Sequence, residues 1–114
     1  MNNLFQKYFG MSHRMALVTG ASRGIGKSIA VALAGAGAEV CIHFNKSAKA
    51  AAQTVIEIQA AGGNAWSFGA DLTVSDEAKK LAAAIKDRWG RLDVLVNNAG
   101  DLVKRPQSQT PQMN

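Results

Sequence analysis

"TGASRGIGKS", Thr19–Ser28, fits two phosphate-binding patterns at once, and the choice between them decides the fold. From Thr19 it reads Thr-Gly-x-x-x-Gly-x-Gly, a glycine spacing suited to a dinucleotide diphosphate. From Ala21 it reads Ala-x-x-x-x-Gly-Lys-Ser, one residue away from the nucleotide triphosphatase pattern Gly-x-x-x-x-Gly-Lys-[Ser/Thr]. The first implies hydride transfer and the second phosphoryl transfer. Both put an anion at a helix N-terminus, where unpaired N–H groups and the helix dipole favour negative charge. The residues around the loop must therefore decide.

Just upstream, "MALVT" is a short apolar run that ends in the glycine turn, as a buried parallel strand does. Downstream, residues from about Gly24 to Ala36 predict a helix with Ile25, Ile29, Ala32, Leu33 and Ala36 on its apolar face, stopped by Gly37. "EVCIHF" is a second strand. Ser47 is placed to N-cap a helix running to about Ala61, with Ala51, Val55, Ile58 and Ala61 on one face and Gly62-Gly63 as its stop. "NAWSF" is a third strand, turning through "GADLT". Ser75 opens a further helix carrying Ala78, Leu81, Ala82, Ile85 and Trp89 inward, closed by Gly90. "LDVLV" is the fourth strand and runs into "NNAG". Strand and helix alternate throughout, which implies parallel strands joined by right-handed crossovers. The expected architecture is α/β: the N-terminal half of a Rossmann-like, doubly wound parallel sheet of four strands and three helices, in three αβα layers.

The ends read differently. Residues 1–14 show no clear period and are expected to be a flexible extension, with Met11 as plausible a start as Met1. The organised unit is expected over 15–103. Residues 104–114, with two prolines and little to bury, are expected to be a disordered tail.

Composition narrows the function classes. With 47% hydrophobic and 18% charged residues, the 114-residue chain is globular and sized for one modest domain. Its formal charge is +5, yet no basic block reaches five residues, so nucleic acid is not the expected partner. No stretch approaches the ~20 apolar residues of a membrane span. A single cysteine, Cys41, and no recognisable secretion signal point to the cytoplasm.

The triphosphatase reading wants magnesium held by the loop Ser/Thr and by an aspartate at the end of a buried strand. "LDVLV" instead has Asp93 near its beginning and Asn97-Asn98 at its end. The dinucleotide reading explains more positions: Gly20 for the tight turn, Gly24 for backbone approach to the diphosphate, Gly26 for close helix packing.

With "TGASRGIG" after "ALV", "AD" after the third strand and "NNAG" after the fourth, the chain resembles the short-chain dehydrogenase/reductase family over about Met15 to Gly100. Its look is nearest to the 3-oxoacyl-[acyl-carrier-protein] reductase branch. The resemblance implies a loop of Gly20, Ser22, Arg23, Gly24, Ile25 and Gly26 around the cofactor phosphates. It implies that Asp71 accepts from the adenine amino group, with Leu72 beside the ring. Asn98, Ala99 and Gly100 would line the adenosine and nicotinamide-ribose side, and Asn97 would tie central strands together. Taken alone, Asp71 in "GADLTVSDE" is an ordinary helix-start acid; only the family pattern gives it a ligand. Relatives specific for NAD place an acid at the end of the second strand. Here Asn45 and Lys46 stand there, with Arg23 in the loop, so NADP(H) is expected over NAD(H).

The family's acid/base pair, Tyr-x-x-x-Lys, has no match. The only tyrosine is Tyr8, upstream of the fold, and Ser12 stands four residues on. No residue is therefore assigned a catalytic role. The expectation is a carbonyl/alcohol oxidoreductase cut before its catalytic residues and inactive as this chain. The alternative is a non-catalytic NADP(H)-binding or interaction module. In either case the fourth strand's edge is expected to be exposed to self-association.

Overall fold

The computed structural model describes residues 10–98. Its central strand is β1, Met15–Val18, which is flanked on both sides. On one side it pairs in parallel with β2, Glu39–Phe44, so that Met15 faces Glu39 and Val18 faces Ile42. On the other it pairs in parallel with β4, Val94–Val96, with Leu17 opposite Leu95. β3, Asn64–Gly69, extends the sheet beyond β2, giving the order β3-β2-β1-β4. The helices are α1, Gly24–Gly35, α2, Ala48–Ala60, and α3, Ser75–Trp89. The chain thus winds outward from β1 to β3, then returns past β1 to lay down β4. That reversal is where an open parallel sheet has its crevice, at the C-terminal ends of the strands.

Side-chain alternation builds two cores. Ala16, Val18, Val40, Ile42 and Ala65 point to one face, where Ala30 and Ala34 of α1 and Ala51 and Ile58 of α2 cover them. Leu17 and Cys41 point to the other, against Leu81 and Ile85 of α3, with Trp66, Phe68 and Trp89 half-buried around them. The three-layer α/β architecture expected from the sequence is the one observed. Burial pushes the Cys41 thiol up to about 12, so it stays protonated and acts as a small hydrophobe.

The helix faces differ in detail from the periodicity. In α1 the buried stripe is Gly26, Ala30 and Ala34, while Ile25 is 74% exposed and Ala32 is exposed. Small residues let the helix lie close to the sheet, and the larger Ile29 and Leu33 then sit at the margin. In α2 the buried residues are Ala51, Thr54 and Ile58, with Val55 half-buried and Ala61 exposed. α3 buries Leu81 and Ile85 but leaves Ala82 exposed. It ends in a left-handed Gly90 (φ 75°), with Asp76 and Glu77 in its first turn and Lys86 and Arg88 in its last, each complementing the helix dipole.

Two boundaries also shift. Met11 N donates to Ala36 O at 2.7 Å, Met11 packs on the core, and Arg91 Nη2 donates to His13 O at 2.6 Å. The segment expected as a loose extension over 1–14 is therefore fastened from Met11 onward. Residues 1–9 and the expected tail lie outside the described residues. β4 is shorter than "LDVLV" because Asp93 uses its carboxylate to accept from Met15 N at 2.8 Å. Leu92 and Leu95 are 39% and 60% exposed, so among the described residues β4 is an open edge. No helix among the described residues is long and apolar enough to cross a membrane.

Candidate functional site

The loop from Thr19 to Arg23 leaves the end of β1, a buried strand, and enters α1. Gly20 and Gly24 take left-handed backbone (φ 61° and 67°), which side chains disfavour. Around them the loop is held by side chains from other elements. Thr19 N donates to Val96 O at 3.0 Å, and the Thr19 hydroxyl donates to Asn97 Oδ1 at 3.1 Å while accepting from Asn98 N at 2.9 Å. Asn98 Nδ2 donates to Gly20 O at 3.1 Å. Asn97 and Asn98 thus fasten the end of β4 to the end of β1.

Gly26 is required by a different approach from the one expected. A Cβ there would fall on the Gly20 carbonyl and 2.5 Å from Asn98 Nδ2, so the glycine admits the loop and Asn98 as well as the sheet. Gly24 has open space beside it, and its constraint is conformational.

The start of α1 has the properties of an anion seat. Arg23 occupies the N-cap position in extended conformation and makes no capping bond, and the first turn holds no acid. Lys27 turns away from the loop, with Nζ 3.0 Å from Glu57 Oε1 in an ion pair between α1 and α2. The Lys27 ammonium, with Gln53, holds the Glu57 carboxyl below the usual range. Ser28 Oγ donates back to Gly24 O at 3.3 Å. Neither residue is placed as a triphosphatase loop needs them.

Beside the loop lies a cleft of about 240 Å³. It brings together Gly20, Ser22, Arg23, Asn45, Lys46, Leu72 and Asn98 of the residues expected at a site. Ser47, expected only as a helix cap, makes no capping bond and lines the cleft instead. Gly24, Ile25, Gly26 and Asp71 do not line it, and Ala99 and Gly100 lie outside the described residues. Asp71 sits between two cleft neighbourhoods, Ala70 and Leu72, in a turn of its own making. Its Oδ1 accepts from Thr73 Oγ1 at 2.6 Å and from Thr73 N at 3.0 Å, and these bonds hold its carboxyl below the usual range. Glu77 Oε1 accepts from Asp71 N at 2.7 Å and fixes the turn to α3.

Three supporting residues were not legible as such. His43 is 2% exposed; its Nδ1 accepts from Gly20 N at 3.0 Å and its Nε2 lies 2.8 Å from Ala70 O. Thr54 Oγ1 stands 3.1 Å from Ser22 O and 3.1 Å from Ala50 O, linking α2 to the loop. Glu77 is the third. For His43 and Thr54 the available signal was a polar side chain inside an apolar run, since a buried imidazole or hydroxyl must find partners.

The short chain dehydrogenase family model matches residues 14–114. The 3-oxoacyl-[acyl-carrier-protein] reductase of Synechocystis is 47% identical over 90 residues, covering 79% of this chain and 36% of that protein. A 3-oxoacyl-(acyl-carrier-protein) reductase from Agrobacterium tumefaciens, solved with NADP bound, is 40% identical with a TM-score of 0.75, over 82% of this chain and 35% of that one. A 7α-hydroxysteroid dehydrogenase solved with NADH and 7-oxo glycochenodeoxycholic acid is 38% identical with a TM-score of 0.76, over 85% and 37%. The chain spans little more than a third of the length of the curated relatives it matches. The family match runs from the start of the first strand through the fourth, and the chain belongs to the short-chain dehydrogenase/reductase family.

Proposed function

We propose that this chain supplies the NADP(H)-binding part of a carbonyl/alcohol oxidoreductase similar to 3-oxoacyl-[acyl-carrier-protein] reductase. The observation that carries the reading is the uncapped, acid-free start of α1 opening beside a cleft lined by Arg23, Asn45 and Lys46. The diphosphate is assigned to Ser22, Arg23, Gly24 and Ile25, where α1 offers free N–H groups and a favourable dipole. Arg23, Asn45 and Lys46 are assigned to the 2′-phosphate, since guanidinium and ammonium donors suit a dianion and no carboxylate lines the cleft among the described residues. Asp71 and Leu72 are assigned to the adenine, and Asn98 with Ala99 and Gly100 to the nicotinamide-ribose side. Bound NADPH would supply the hydride. A relative solved with NADP supports the choice, and one solved with NADH shows that the family accepts both cofactors. The reducing cytoplasm is the proposed setting, in keeping with the single buried thiol of Cys41.

These 114 residues hold no Tyr-x-x-x-Lys, so we assign the chain binding without turnover. The exposed β4 edge favours a second reading, a non-catalytic binding module that meets a partner or a second copy through Leu92 and Leu95. Thermal unfolding with and without NADPH, run beside a 3-oxoacyl thioester reduction assay, tests both parts. The expected result is a rise in Tm with no NADPH consumption. No rise in Tm at millimolar NADPH would overturn the binding assignment, and substrate-dependent consumption would overturn the assignment of inactivity.

A further inference from the structure

The His43 side chain bonds to both walls of the cleft. Its Nδ1 accepts from Gly20 N at 3.0 Å on the loop side, and its Nε2 is 2.8 Å from Ala70 O on the side of the Asp71 turn. A backbone N–H can only donate and a carbonyl can only accept. The two partners therefore assign the neutral imidazole with its proton on Nε2.

Main-chain bonds also tie each wall to β2 at this level: Ala21 N to His43 O at 2.9 Å, and Ala70 N to Phe44 O at 3.0 Å. The imidazole adds a side-chain bond to both walls at once, so its length fixes how far apart they stand. It is 2% exposed, so a partner lost there is not replaced freely by bulk water.

We propose that His43 is a positioning residue that sets the spacing of the diphosphate loop against the adenine-side turn. It thereby governs affinity for the whole dinucleotide more than for its adenosine half. The inference rests on the dinucleotide reading above, and its test separates the two. His43→Asn places an amide oxygen near the Nδ1 position and keeps an acceptor for Gly20. His43→Gln places an amide near the Nε2 position, keeps the bond to Ala70 and loses that acceptor. The expected result is that H43N and H43Q, each keeping one bond and losing the other, both weaken NADPH about ten-fold but adenosine 2′-monophosphate, which has no phosphate on the diphosphate side, less than about three-fold. A merely structural role would weaken both ligands alike and track the loss of Tm. That result, or unchanged binding in H43Q, would overturn the proposal.

Two readouts need no cofactor. Nitrogen-15 NMR of the unmodified chain should show the Nε2–H tautomer of His43, and the Gly20 amide should exchange slowly in H43N and fast in H43Q. An Nδ1–H tautomer, or equal Gly20 exchange in both variants, would overturn the positioning role even if the chain binds no NADPH. Absence of NADPH binding with the expected tautomer and exchange would overturn the dinucleotide reading alone.

Discussion

The two ends of this sheet's topology are secured very differently. At the β1–α1 loop, His43 of β2, Thr54 of α2 and Asn97 and Asn98 after β4 all bond to a stretch of four residues, Thr19 to Ser22. β4 itself is three residues long, has β1 as its one strand neighbour among the described residues and shows Leu95 60% to solvent. The β1–α1 loop is over-determined, while among the described residues the sheet beside it is open at β4. A loop built on the central strand is here ordered by side chains that reach it from β2, from α2 and from the end of β4.

The sharpest way to break this contrast is Gly26→Ala. The added methyl meets a backbone carbonyl and Asn98 Nδ2, which cannot both retreat without dismantling the loop. The expected loss is about 3 kcal/mol in urea unfolding, together with loss of NADPH binding. Thr54→Val comes next: it keeps shape and removes the bond to Ser22 O, for an expected loss of about 1 kcal/mol and a looser loop by amide exchange. At the open edge the expected effects are smaller. Leu95→Lys should change stability by no more than about 0.5 kcal/mol. If β4 pairs with other copies, the same change should lower the sedimentation-average mass, because an edge lysine opposes strand pairing.

Acid sharpens the comparison from the other side. Asp71, held low by Thr73 and its backbone, and Asp93, held low by Met15 N, both have folded-state values below the unfolded ones. Their contribution is complete above the ordinary carboxylate range and is lost as pH falls through the lowered folded values. Stability should therefore decline from about pH 4 downward, with a shallower decline in Asp93→Asn. Circular dichroism across that range checks it.

Element order, strand pairing direction and the glycine loop were legible because each follows from local signals: apolar runs, glycine stops and helical spacing. β2 matched "EVCIHF" residue for residue. The faces of α1 and α2 were less legible, because burial there is decided by how close the helix comes to the sheet. Gly26, Ala30 and Ala34 are inside for being small, and Ile25 is outside despite being apolar. At the site, loop and cleft residues could be named from the pattern. Its supports could not, since His43 looked like part of an apolar strand and Thr54 like a break in an apolar face. Their partners, Gly20, Ala70 and Ser22, are 23, 27 and 32 residues away in the chain.

The central claim is that Arg23, Asn45 and Lys46 make this cleft a seat for a 2′-phosphate. Parallel calorimetric titrations of the full chain with NADPH and NADH, repeated on Lys46→Ala, test it most directly. The account predicts NADPH tighter than NADH by about ten-fold or more, with the gap narrowing in Lys46→Ala. Equal or tighter binding of NADH, or a gap untouched by the substitution, would contradict it.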